Sequence, residues 1–509
     1  MGLFAKIKQE ATNYALFRRG IMPPSSRFGP AFASEIDGIM KRYFPAAEVG
    51  DRRADWNPST LIDQNVFRLE YKRICARAKR AYDTDPYARS AVRVLQSQVI
   101  GRGISPKARP VDLSGNALTE LGKTIDAGFE RFADECFRPN NDSFYDVQSR
   151  YIANCSYSGG VFLNTVPAPK SNLLPFAFQL VDQACIDFSR DTFVLPNNTD
   201  TVFNGVKLNL FGEPKEYYFE NLVTYAPFKL AANNVIHCYE KTHINQWIGI
   251  PWLAAVLTTL WDLAQLQEDK LIASRIQTAI ALWVSETGNK FPNAALKNAN
   301  GNISWAPGSI MKSAIEPKII QASDSIRETF GALIELYLRQ IASGMGVSYQ
   351  EMTCDLAGAN FSSARTVVMD RRRYYRKKQQ SIERIFCQPV YNRFLGWLFL
   401  TGKIPGKSIV DFNENKWGLC RAKWTPDKWT WVDPLKDIEA LRAEQEAGWL
   451  SDEDYCEQVG KSRDDLYAVL MEEKALRKEM GIEIVPRQLP NKGFANQEEN
   501  TSADQKQTD

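Results

Sequence analysis

Histidine is nearly missing from this chain: 509 residues hold only His237 and His243. That scarcity excludes most imidazole acid–base chemistry and most histidine-rich metal centres. Cys238 stands between the two histidines, but no second pair and no fourth ligand follows at a recognised spacing. Ordinary strand and loop roles are therefore expected for them. The nine cysteines show no CxxC spacing and are odd in number, which argues against a disulfide framework and for a reducing cytoplasm. Long hydrophobic runs are missing as well. The best one, Ile248 to Leu260, is too short to span a bilayer and runs into Asp262, so no membrane partner is expected. The opening Met1 to Gly20 is mixed and charged, unlike a secretory signal. A net charge of +3 is too small to coat the protein in nucleic acid, so any DNA contact must come from local patches or from geometry.

What is present is ordinary globular material, 44% apolar and 24% charged, with length for roughly two to four domains. The stretch from Asp324 to Leu400 organises the rest. Its first part places Ile326, Phe330, Leu333, Ile334, Tyr337, Leu338 and Ile341 at helical spacing and breaks at Gly344-Met345-Gly346. A loop of small and polar residues follows. Asn360, Ser362 or Ser363 can cap a second helix that runs to about Phe399, with Pro389 as a kink. On that helix Val367, Val368, Tyr374, Tyr375, Ile382, Ile385 and Phe386 share one side. Arg365, Arg372, Arg373, Arg376, Lys377 and Arg384 spread over the other, while Arg371 and Lys378 fall towards the apolar arc. Between Phe361 and Leu400 nine Lys/Arg face only Asp370 and Glu383. Such a face is either solvated or meets phosphates or an acidic neighbouring subunit.

Earlier in the chain, Asp83-Thr84-Asp85-Pro86 starts a helix that stops at Gly101-Arg102-Gly103. Residues 144 to 245 alternate short β-rich runs (FAFQLV, TVFNGVKLN, KEYYFE, NVIHCYE) with turns, which predicts an α+β module with antiparallel strands. From Pro251 to Glu286 no Gly or Pro interrupts the pattern, so one helix of about 50 Å is expected, a rod that few single-domain enzymes need. Four tryptophans, Trp417, Trp424, Trp429 and Trp431, crowd one short segment as core or interface anchors. The loop Gly402 to Ser408 imitates a phosphate cradle, but three residues separate its glycines where that cradle needs four. Glu472 and Glu473 follow a helical run rather than a strand, so no magnesium carboxylate accompanies it. A nucleotide-driven DNA translocase using Gly402 to Ser408 is the enzyme alternative.

The run LRQIASGMGVSYQEMTCDLAGANFSSAR, the long basic helix and the Gln-Pro-Val step after it resemble the lambda-type family of tailed-phage portal proteins. DPYARSAVRVLQSQVIGRGISPKA, the PWL start at Pro251 and the tryptophan-to-Asp-Pro element at Trp424 to Lys436 match the same family in the same order. The resemblance implies a predominantly helical α+β portal fold with wing, stem, clip and crown, closing into a twelve-subunit ring around a channel. Its divisions would be a mobile arm (1–30), the wing (31–247), a first stem helix (248–286) and the clip (287–320). A second stem helix (321–344), a tunnel loop (345–361), a channel-side helix with a wing return (362–433), a helical crown (434–482) and a disordered tail (483–509) would follow. Val347, Tyr349, Gln350, Glu351 and Asn360 would face DNA in the tunnel, and the basic face from Arg365 to Arg384 would serve DNA or subunit contact. The implied function is a head-tail connector at one capsid vertex, used in genome packaging, head–tail joining and DNA ejection. It implies no chemistry, cofactor or metal. The implied partners are double-stranded DNA, the terminase large subunit, the major capsid protein and scaffold, and head–tail adaptor proteins. The protein would be assembled in the host bacterial cytoplasm and reside in the virion.

Overall fold

A computed structural model describes residues 64–138, 142–190, 201–220, 226–244, 246–285, 309–313, 324–355, 361–429, 434–458 and 463–481. The expected N-terminal arm, residues 287–308 and 314–320 of the expected clip, Asn360, Trp431 and the tail at 483–509 lie outside the described residues. The chain forms two compact units, Met1–Phe67 and Arg68–Asp509, and the packing described below falls within the second.

Helix α1 spans Gln64–Thr84 and α2 spans Pro86–Leu95. The start of α2 follows from its sequence: the Asp85 carboxylate accepts the N–H groups of Tyr87 and Ala88, and Pro86 fills a position whose N–H would be unpaired anyway. A π-turn over Gln96–Ile100 ends the run at Gly101, whose φ of 58° suits glycine. Strand β1 (Ser105–Ala108), helix α3 (Thr119–Glu135), strand β2 (Phe137–Arg138) and helix α4 (Phe144–Tyr157) follow. A Ser143–Asp146 capping box opens α4.

Strands β3 (Gly160–Pro167) and β4 (Phe176–Asp182) open the β module. The hairpin β5 (Thr201–Phe203) and β6 (Val206–Leu208) turns at Asn204-Gly205, both with positive φ, as a two-residue hairpin requires. Strands β7 (Pro214–Glu220), β8 (Pro227–Ala231) and β9 (Val235–Tyr239) complete two four-stranded sheets, ordered β2-β4-β3-β9 and β5-β6-β7-β8. Pairing is antiparallel as expected except for the short β2, which runs parallel to β4.

Alternation along β3 and β9 decides what each face meets. Phe162 turns towards Phe219 of the second sheet, ring centres 4.9 Å apart, and stacks at 3.9 Å on His237. Cys238, one residue on, points the other way and its Sγ lies 3.4 Å from the carbonyl of Ile385. Of the three residues His237, Cys238 and His243, the first two therefore sit on opposite faces of one strand, and His243 lies beyond its end.

After a 3-10 turn at Trp252–Ala255, helix α5 spans Leu257–Ala279. Twenty-three residues make it about 35 Å long, shorter than the rod read from the sequence. The expected last turn is strand β10 (Ile280–Ser285), paired in parallel with β11 (Ser309–Ser313). Ile280, Trp283 and Val284 are β-prone side chains, and a helical break is not needed to end a helix when a partner strand is offered. Helix α6 (Asp324–Met345), the short α7 (Tyr349–Thr353) and α8 (Phe361–Ile382) follow.

A π-turn at Glu383–Cys387 joins α8 to α9 (Gln388–Leu400) without leaving the helical region. This is the structural outcome of Pro389. A proline has no N–H for the carbonyl four residues back and crowds it, so the helix widens there. That carbonyl belongs to Ile385, and the Cys238 thiol takes it up. Helix α9 is the centre of the core: Tyr391, Phe394, Leu395 and Phe399 are fully buried, and Phe394 lies 5.2 Å from Phe129 and 5.0 Å from Phe132.

Short helices α10 (Ile409–Glu414) and α11 (Lys416–Leu419) lead to β12 (Ala422–Thr425), which returns to pair with β1. Trp424 donates to Gln388 Oε1 at 2.9 Å and Trp429 to the carbonyl of Gln98 at 2.8 Å, so both anchor the core. Trp417 is 77% exposed. Charged helices α12 (Pro434–Glu446), α13 (Asp452–Gln458) and α14 (Arg463–Met480) end the described chain, the first two separated by a turn at Gly448.

One buried amide ties the β module to the start of α5. Gln183 Nε2 reaches Tyr71 Oη at 2.6 Å and the carbonyls of Ser158 and Gly249, both at 2.9 Å. Its Oε1 accepts the N–H of Gly249 at 3.1 Å and lies 3.0 Å from His237 Nε2, so that nitrogen must carry the proton. Burial, with the Lys241 charge adding, holds the His237 imidazole well below its usual range. A depressed folded-state value means stability that is fully present above the unfolded value of about pH 6.5 and is lost as pH falls. The wild-type unfolding midpoint should therefore drop more between about pH 7.5 and about pH 5 than that of His237→Gln. Equal drops in the two proteins would contradict this reading of His237.

Candidate channel segment and basic helix

The segment after α6 is more ordered than a loop. Gly346 has φ +73°, and a Cβ there would fall 2.7 Å from the Tyr374 ring, so only glycine lets the chain turn against that side chain. Val347 then points into the core, 1% exposed. Ser348 and Glu351 form a reciprocal capping box that starts α7, a Ser-x-x-Glu signal present in the sequence but not used in reading 345–361 as a loop.

Glu351 Oε2 collects three donors: Ser348 Oγ at 2.8 Å, the Ser348 N–H at 3.2 Å and Tyr375 Oη at 2.7 Å. The last bond ties α7 to α8 and is charge-assisted. Burial, then the Glu351 charge, pushes the Tyr375 phenol far up, so it stays a donor. Ser90 Oγ donates to the carbonyl of Met352 at 2.6 Å, fixing α7 to α2 as well. Tyr349 donates to Asp355 at 3.0 Å, and the Arg339 guanidinium lies 5.8 Å from its ring. Cys354 closes α7 in the left-handed region at φ 56°, its N–H bonded to the carbonyl of Gln350. Of the residues singled out here, Tyr349, Gln350 and Glu351 are half-buried, Val347 is interior and Asn360 lies outside the described residues.

The basic helix divides its cations by partner. Arg372 and Arg376 both lie 5.7 Å from the Trp429 ring, an indole shared by two guanidinium groups. Lys378, which the helical projection put towards the apolar side, is paired with Glu240 and lies 4.2 Å from the Trp252 ring. Arg365 is half-buried. Arg373 and Lys377, one turn apart, and Arg384 two turns further on are exposed.

The loop from Gly402 to Ser408 makes turns at φ +65° and +71° and then caps α10. The Ser408 N–H and hydroxyl both bond Asp411, at 2.7 and 2.8 Å, a capping box that commits this N–H to the start of α10. Among the described residues no three His, Cys, Asp or Glu side chains are placed to hold a metal ion.

Removing the Tyr375 hydroxyl should loosen α7 without unfolding the core. Tyr375→Phe is expected to speed amide exchange over Tyr349–Thr353 by roughly tenfold, about the worth of one hydrogen bond to a charged group. Unchanged exchange there, measured by mass spectrometry, would show that Glu351 does not hold the segment.

A sequence model of the family described as "Phage portal protein, lambda family" matches residues 49–379, a span holding the β module, α5 to α7 and nearly all of α8. The probable portal protein of Halomonas phage phiHAP-1 is 23% identical over 481 residues, covering 89% of this chain and 90% of that protein. Portal protein B of Escherichia phage lambda is 21% identical over 493 residues, covering 85% and 89% respectively. A chain in the neck of an empty gene transfer agent particle overlaps 80% of this chain and 95% of its own length, at 12% identity and a TM-score of 0.39. With the family model covering well over half of its length, the chain belongs to the lambda family of phage portal proteins.

Proposed function

We propose that this portal protein works as a closed ring, of twelve copies in the capsid, through which double-stranded DNA enters and leaves one vertex. The observation that carries the reading is the family match over 49–379. The surface of α5 and α6 supports it. Trp261 is 65% exposed, and Leu271, Ile272, Leu333 and Leu336 are further exposed apolar residues on the same pair of helices. Apolar side chains in that number on two long helices suit burial between neighbouring copies. In this reading α5 and α6 form the stem, the 287–320 segment between them the clip, residues 31–247 the wing and 434–482 the crown. A separate terminase would drive the DNA, and capsid, scaffold and head–tail adaptor proteins would meet the ring's outer parts.

Within the channel, we assign Val347 and Glu351 to the fixed base of the tunnel segment, with Tyr349 beside it, and Gln350 and Asn360 to DNA contact. Arg373, Lys377 and Arg384 are the cations left to meet phosphate or an acidic neighbour, since Arg372 and Arg376 flank Trp429. Shortening 354–360 should leave assembly intact and reduce DNA retention in filled heads. Joining Arg373→Glu to that change separates the two roles: phosphate contact would be lost with a weaker salt dependence of DNA association, while subunit contact would appear as a less stable assembly. Normal packaging and retention with the shortened segment would contradict its place in the channel.

A further inference from the structure

We infer that a cleft between α9 and α10 is a docking site for an acidic peptide segment of a partner protein, one that inserts a bulky apolar side chain between two cations. The cleft has a volume of about 440 Å³, within the usual range for ligand sites of roughly 300–1,000 Å³. Its apolar lining comes from Ile236, Pro389, Trp397, Leu400 and Phe412. Arg393 and Lys416 are the charged side chains that line it, both positive.

The site is built before any partner arrives. Trp397 stacks on Phe176 with centres 5.4 Å apart and planes 26° apart, which fixes one wall. Arg393 gives one N–H to the carbonyl of Asn233 at 2.8 Å, which fixes the guanidinium and leaves a fork with capacity for a carboxylate. The carboxylates of α10 do not neutralise the pair within the cleft: Asp411 is held by Ser408, and Glu414 is not among the lining residues. Leu400 at the cleft is 56% exposed. An apolar floor with paired cations is complementary to an apolar anchor flanked by carboxylates. A nucleic-acid strand would instead require a track of cations at phosphate spacing, and the cleft holds one pair.

The test uses the full chain and a fluorescein-labelled peptide with a central Phe-Leu pair flanked by glutamates. Three controls accompany it: the same peptide with lysines for the glutamates, the same with serines at the centre, and oligo-dT. Two variants are informative. Lys416→Glu reverses one exposed cation. Gly396→Leu fills the cleft at a helical position whose Cβ would meet only the Phe412 ring, at an ordinary 3.8 Å, so it should fold. Fluorescence anisotropy should show the acidic apolar peptide binding at least tenfold more tightly than each control, and each variant weakening it by about tenfold. Lack of binding by that peptide, equal binding by the lysine peptide or by oligo-dT, or unchanged affinity in both variants would overturn the inference.

Discussion

Two glycines cross so closely that no other residue fits at the crossing, and the architecture depends on it. A Cβ on Gly249 would lie 1.9 Å from the carbonyl oxygen of Gly159, and one on Gly159 would lie 2.3 Å from that of Gly249. Gly159 ends α4 and leads into β3; Gly249 precedes Pro251 and the turn into α5. The Gln183 amide bonds across this crossing, so the β module and the first long helix share one fixed origin. Any load on α5 is therefore passed to a buried, fully bonded polar centre rather than to a loop.

The second constraint is the helical run from Phe361 to Leu400. Its N-terminal half is basic and carries the exposed Arg373 and Lys377, and its C-terminal half is the aromatic centre of the core. The π-turn before Pro389 lets one run do both, because it carries the helix past the proline without ending it. Cys238, Gln388 and Gln379 then bond the helix to three separate neighbours: Cys238 to the Ile385 carbonyl, Gln388 to that of Cys420, and Gln379 to that of Val99. The exposed cations are thus carried on an element whose other end is immobilised.

Periodicity made the α+β class, most strands and the α6 and α8–α9 helices legible, since those depend on local pattern and caps. What stayed illegible depended on partners distant in sequence. The β-prone side chains of Ile280–Ser285 are compatible with the end of a helix as well, and only pairing with Ser309–Ser313 makes the segment a strand. Lys378 looks misplaced on a helical projection until Glu240 and Trp252 are brought to it. The Ser348–Glu351 box was readable, and the small residues after Cys354 obscured it. Among the site residues, Val347 illustrates the same limit: a valine after Gly-Met-Gly carries no sequence sign of whether it faces a channel or a core.

The central claim is that the exposed apolar faces of α5 and α6 are covered by neighbouring copies in a closed ring. Native mass spectrometry of the purified full chain, paired with electron micrographs of the same sample, tests it most directly. The account predicts a discrete closed oligomer with a central hole, and Trp261→Glu together with Leu336→Glu should shift the mass to monomer while far-ultraviolet dichroism stays unchanged. A chain that remains monomeric at high concentration, or a ring indifferent to both substitutions, would contradict it.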